Sequence, residues 1–143
     1  MLCSVLYFHC SLLSDTGKEA IIAETLTLTV SLRGTREQKD TCQVFRLTGL
    51  LDAFSEPTFQ KIVGKFIDDG PAHIILDLSK IDFLDSSGLG ALVKLVKKTQ
   101  SVEGTLQVVA NARVMQTVKL VKLEKFLSIQ SSVDDALANV PAA

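Results

Sequence analysis

The sequence predicts a single α/β domain built on one mixed sheet of four to five strands with about four helices. Three observations carry that expectation. Two strand-like segments come first, and helical and strand patterns alternate after them, the order that packs helices against a sheet. The most apolar strand-like stretch, His73-Ile74-Ile75-Leu76-Asp77-Leu78, lies mid-chain, as a covered central strand should. At 143 residues and 47% hydrophobic, the chain is long enough for one domain with a real core.

Each element has its own signal. Thr25 to Val30 alternates polar and apolar residues, the period of a half-buried strand. Arg33 to Asp40 is polar and reads as a loop. Cys42 to Leu47 reads as the second strand, forming a hairpin with the first, and Thr48-Gly49 breaks it. Ser55 is placed to cap a helix with Pro57 in its first turn, and Asp68-Asp69-Gly70-Pro71 ends it. Phe59, Ile62, Val63 and Phe66 share one face of that helix. Ile74 to Leu78 is the third strand. A second helix is expected over Ser87–Ser101, with Leu89, Leu92, Val93 and Val96 apolar. Glu103-Gly104 turns the chain into a strand over Leu106–Ala110, which should run parallel to the third. Asn111 is placed to cap a short third helix through Val114, Met115 and Val118. A last strand near Leu127–Ile129 and a helix from Ser132 complete the domain. Ser132 with Asp135 is a capping-box signal.

Residues 1–20 read as an N-terminal extension, with the domain itself over 21–143. Leu2 to Leu13 is apolar but well short of the roughly twenty residues a membrane span needs. It lacks the basic start of a secretory signal. An over-long translation start, a disordered lead-in and a segment that packs on another subunit all stay open; the last would make a homo-oligomer.

A formal net charge of −1 with 22% charged residues offers no long-range attraction for nucleic acid or an anionic membrane. Lys94, Lys97 and Lys98 read as a solvated helix face. Cys3, Cys10 and Cys42 form neither a disulfide framework nor a metal spacing, which points to a reducing, cytoplasmic setting and no metal site. His9 and His73 are far apart in sequence, and His73 opens a strand.

The chemistry concentrates in Asp82-Phe83-Leu84-Asp85-Ser86-Ser87-Gly88-Leu89-Gly90, at a strand-to-helix junction. Helix N-termini carry unpaired N–H groups and the positive end of the macrodipole, a setting that suits negative charge. Phe83 and Leu84 can anchor the loop to the core. Asp85 or Ser86 can cap the helix. Gly88 and Gly90 cost helix propensity, roughly 1 kcal/mol each, and let another backbone or a partner come close. Spacing alone is also met by a well-capped helix with no chemistry. A serine nucleophile would need a base within hydrogen-bond reach. His73 should lie at the opposite end of the strand, His9 lies in the extension, and the segment is not a GxSxG elbow. With no P-loop, GxGxxG or HExxH either, the expectation is a protein that is not an enzyme and needs no cofactor.

Over roughly residues 23–139 the chain resembles the bacterial anti-sigma factor antagonists of the STAS-domain family. Asp85-Ser86-Ser87-Gly88-Leu89-Gly90 is similar to the family's phosphorylation site, Thr48-Gly49-Leu50-Leu51-Asp52 to its Gly-Glu-Leu-Asp segment, and Gly104 to Asn111 to a further strand and its exit. The resemblance implies a STAS-like domain acting as a phosphorylation-controlled switch. The unphosphorylated form would bind an anti-sigma factor that is itself a serine kinase, and release the sigma factor. Phosphorylation of Ser86 would end binding, and a separate phosphatase would reset it. ATP and Mg²⁺ would belong to the kinase. Asp52, Leu50, Asp85, Ser87, Gly88 and Leu89 are the expected partner-binding residues. Leu50 replaces the family's glutamate, and Lys122 lies where a glycine follows the third helix. A stressosome-like scaffold, a lipid-transport assembly and a small-ligand or nucleotide-binding domain remain as alternative readings.

Overall fold

The computed structural model describes residues 22–39 and 41–140, and among them are six strands and four helices. The strands are β1 (Ile22–Thr27), β2 (Leu32–Gln38), β3 (Cys42–Leu51), β4 (His73–Leu84), β5 (Thr105–Ala110) and β6 (Ile129–Gln130). The helices are α1 (Glu56–Asp69), α2 (Ser86–Ser101), α3 (Ala112–Leu120) and α4 (Val133–Ala138). One sheet runs in the order β1-β2-β3-β4-β5-β6. Its first three strands are antiparallel, and β3 through β6 are parallel. The extension expected at residues 1–20 lies outside the described residues, with Cys3, Cys10 and His9. Among the described residues no helix is long and apolar enough to cross a membrane.

The sheet has six strands rather than four to five because Arg33–Asp40, expected as a loop, is mostly strand β2. Three of its polar side chains, Arg36, Glu37 and Gln38, bond to other side chains of the sheet. Buried Arg36 donates to Gln43 Oε1 at 2.7 Å, Gln38 Oε1 at 2.9 Å and Glu24 Oε2 at 3.2 Å. Its guanidinium also lies 4.2 Å above the Phe66 ring centroid. Arg46 Nη1 reaches Glu37 Oε1 at 2.7 Å. The chain reverses earlier than expected, at Thr29-Val30-Ser31. There Thr29 Oγ1 accepts from Ser31 N at 3.2 Å and Leu32 N at 3.1 Å, a hydroxyl turn that ends β1. The strand that pairs with β1 is therefore β2, and β3 pairs with β2.

Thr48-Gly49 does not break β3, which runs on to Leu51. The register shifts between Arg46 and Thr48 and again between Gly49 and Leu50, so the glycine marks a bulge. Gly49 has φ +119°, and a Cβ there would lie 2.0 Å from the Ser31 carbonyl oxygen. Likewise β4 extends past Leu78 to Leu84. Of the two residues expected to anchor the loop, Leu84 is buried and Phe83 is 50% exposed.

The main core packs Phe45, Leu47, Leu51, Ile74, Leu76 and Leu84 of the sheet against Phe59 and Val63 of α1 and Leu89, Leu92 and Leu95 of α2. Burying each such side chain stabilises the fold by about 1.5–3 kcal/mol. A smaller cluster on the other face joins Cys42, Val44, Ile75 and Val109 to Ala136 of α4. His73 Nδ1 lies 3.0 Å from Thr105 Oγ1, a contact between strand starts. Asn111 Oδ1 accepts from Val114 N at 2.8 Å and Ser132 Oγ from Asp135 N at 3.1 Å, the expected caps of α3 and α4.

Candidate functional site

The parallel register of β3 and β4 brings the two matching segments together. Leu50 is the partner of Phe83, and Leu51 of Leu84. Both strands end at the same edge, so Asp52 and Asp85 leave the sheet side by side. The amide of Asp85 lies 3.4 Å from the Leu51 carbonyl oxygen.

Asp85 holds extended backbone and is the N-cap of α2. Its Oδ1 accepts the Gly88 amide at 3.0 Å, and its carbonyl accepts the Leu89 amide at 3.0 Å. This settles which residue caps the helix, and leaves Ser86 as the first helical residue. Ser86 is exposed, Ser87 half-buried. Gly88 is buried, and a Cβ there would meet the Leu51 carbonyl oxygen at 2.5 Å and Leu84 Cδ1 at 2.6 Å. Only a glycine lets the first turn of α2 sit this low on the end of β3. Leu89 is buried in the main core. Gly88 and Leu89 therefore lie beneath the surface that Ser86 and Ser87 present.

Asp52 is committed to its own loop. Its Oδ1 accepts from Phe54 N and Ser55 N, each at 3.0 Å. Ser55 Oγ in turn donates to the Leu50 carbonyl at 2.9 Å and accepts from Asp52 N at 3.0 Å. Ser55 is thus the N-cap residue of α1 without a side-chain cap bond, because its hydroxyl is spent on the loop. The loop lifts Phe54 into solvent at 69% exposure. Leu50 is partly buried, with its amide bonded to the Ser31 carbonyl at 2.9 Å.

Sequence reasoning missed three contributors: Leu51, whose carbonyl seats α2; Ser55, which ties the loop; and Phe54, which the loop displays. Leu51 follows a bulge, so its placement needed the register. The Asp52–Ser55 spacing was the available signal for the turn.

The arrangement offers a hydroxyl at the positive end of a sixteen-residue helix, next to the Asp85 carboxylate that caps it. His73 sits at the start of β4, and Ser86 follows its far end. Among the described residues no group of three or more His, Cys, Asp or Glu could hold a metal ion.

Known proteins share this architecture. The STAS domain family model matches residues 35–136. RsfB, an anti-sigma-F factor antagonist of Mycobacterium tuberculosis, is 31% identical over 99 residues, which cover 68% of this chain and 80% of that protein. The crystal structure of an anti-sigma factor antagonist from Mycobacterium paratuberculosis superposes with a TM-score of 0.70 at 29% identity, covering 77% of this chain and 94% of that one. The Bacillus cell fate determinant SpoIIAA, solved in its phosphorylated form, superposes with a TM-score of 0.57, covering 81% of this chain and 96% of that one. At 19% identity, that likeness concerns the fold alone. With a family match over most of the domain and relatives that are anti-sigma factor antagonists, the chain belongs to the STAS-domain family.

Proposed function

We propose that this protein is a phosphorylation-controlled anti-sigma factor antagonist, a binding switch and not an enzyme. In its unphosphorylated form it binds an anti-sigma factor that is a serine kinase, and the sigma factor is released. Transfer of the ATP γ-phosphoryl group to Ser86 Oγ ends the complex, with ATP and Mg²⁺ supplied by the kinase. Hydrolysis of the phosphoserine by a separate phosphatase restores binding.

The observation that carries this reading is the exposed Ser86 hydroxyl at the first position of α2, presented between the Asp85 cap and the buried Gly88. Phosphorylation adds about −1.5 to −2 charges. The helix dipole tolerates that charge, while a protein surface in contact with Asp85 and the serine meets it as repulsion. Leu50, Asp52, Asp85 and Ser87 surround the acceptor in this reading, with Gly88 and Leu89 supporting them from below. Leu50, where relatives of this type were expected to carry glutamate, gives the partner surface an apolar contact.

The test is incubation with an anti-sigma serine kinase from the same organism and Mg·ATP, followed by intact mass. One added phosphate is expected, lost in Ser86→Ala and kept in Ser87→Ala. No added phosphate, or undiminished labelling of Ser86→Ala, overturns the assignment. A mass gain lost only in Ser87→Ala moves the acceptor by one residue.

A further inference from the structure

Strand β5 is only half paired on its outer side. β6 has two residues, matched to Val108 and Val109. The Val108 amide turns outward and reaches the Ser128 carbonyl at 3.3 Å, whereas the Thr105 amide turns inward to the Ala72 carbonyl at 3.2 Å. Backbone groups alternate sides along a strand, so the N–H and C=O of Leu106 also face outward. β6 does not extend that far, and among the described residues no strand lies on the outer side of Thr105–Gln107.

A cleft of about 300 Å³ runs along this edge, at the small end of ligand sites. Val96 and Thr99 of α2, Leu106 and Gln107 of β5, Phe126, and Asn139 just past α4 are among its walls, and no charged side chain lines it. Gln107 is 5% exposed, and its Nε2 donates to the Ala136 carbonyl at 2.9 Å. Its Oε1 is the one buried side-chain polar atom among the described residues without a hydrogen-bond partner. A buried acceptor left unpaired costs stability, and a free sheet edge is a template for another strand. Together they call for a short, uncharged, extended segment that brings hydrogen-bond donors.

We propose that the occupant is the chain's own N-terminal segment, with Val5-Leu6-Tyr7-Phe8 adding as a short strand beside Thr105–Gln107 and offering donors to the Leu106 carbonyl and to Gln107 Oε1. Composition supports this occupant. Residues 1–14 contain no Asp, Glu, Lys or Arg, matching the uncharged cleft, and residues 1–21 contain no proline to interrupt a ladder. Val5, Tyr7 and Phe8 favour strands. Reach supports it as well. Register partners run from Ile22 through Gln38, Gln43 and Ile74 to Leu106, one row across the sheet, so β1 begins at the end where the cleft lies. Five strand spacings, about 24 Å, separate Ile22 from a strand placed beside Leu106. Residues 9–21 span up to roughly 43 Å when extended. The added strand closes the free edge against pairing with other chains.

Amide hydrogen exchange of the full chain, followed residue by residue by NMR, tests this. The Leu106 amide should exchange at least about tenfold more slowly than in the variant Leu6→Asp with Phe8→Asp, which sets charge against an uncharged cleft. The Val108 amide, bonded to Ser128, should stay protected in both and shows that the variant is folded. Fast exchange at Leu106 in the full chain overturns the proposal. Equal protection in the two chains also overturns it, because another group would then cover the amide. Protection that fades on dilution, with a dimer mass by light scattering, assigns the edge to a second copy and overturns the intramolecular strand. None of these outcomes bears on Ser86, which shares no residue with the cleft.

Discussion

Gly88 rests on the carbonyl of Leu51, with only 2.5 Å between that oxygen and the place where a side chain would begin. The contact joins the end of β3 to the start of α2. Gly88→Ala must push the helix off the strand, and the Leu84 methyl at 2.6 Å closes the other way out. A loss of about 1–3 kcal/mol is expected, in the range of overpacked cores. Urea unfolding of the variant checks this, and an unchanged midpoint would mean that the junction is loose.

The cap at Asp85 gives a second expectation. Asp85→Ala removes the acceptor of the Gly88 amide and should cost about 1 kcal/mol, whereas Asp85→Asn keeps an acceptor and should cost less. Comparing the two by thermal unfolding separates the hydrogen bond from the charge. Equal losses would assign the effect to charge alone.

Phosphorylation itself should spare the fold. A phosphate on Ser86 sits at the N-terminus of α2, where negative charge is favoured by about 0.3–1 kcal/mol. The melting temperature of the purified phosphoprotein should lie within a few degrees of the unmodified chain, roughly the span that 1 kcal/mol produces. A large drop would place the switch inside the domain and not at its surface.

Lys122 holds φ +59° in the turn after α3. That left-handed conformation strains a side-chain-bearing residue by about 1–2 kcal/mol. Lys122→Gly should relieve most of it, and the more flexible unfolded chain offsets part of the gain. A net stabilisation of about 0.5–1 kcal/mol in chemical denaturation is expected. A net loss would show that the lysine side chain contributes contacts of its own.

The helices were legible in the sequence because their signals are local. Pro57, Asn111 and Ser132 mark starts through neighbours a few residues away, and α1, α3 and α4 appear where those signals put them. The antiparallel side of the sheet was less legible. β2 looks like a loop because Arg36 is polar, and its burial makes sense only beside Gln43, Glu24 and Phe66, which arrive from three other elements. Thr48-Gly49 has the composition of a break, and only the close approach of Ser31 turns it into a bulge. At the site, Ser86 and Asp85 were readable as neighbours in a motif. Their juxtaposition with Leu50, Leu51 and Asp52 comes from the β3–β4 register, which no single segment encodes. The glycines illustrate the same limit: identical in sequence signal, Gly88 and Gly90 differ only in what surrounds them.

The turn at Asp52 and Ser55 has a consequence for recognition thermodynamics. Its hydrogen bonds already fix the loop that carries Phe54 while the chain is alone. A protein arriving at this edge finds the aromatic ring on a rigid mount, so little loop entropy is lost on association. Were Ser86 to gain a phosphate while a partner rests on this edge, such preorganisation would concentrate the effect of that charge on the lifetime of the complex, because the hydrogen-bonded loop would not shift to absorb it.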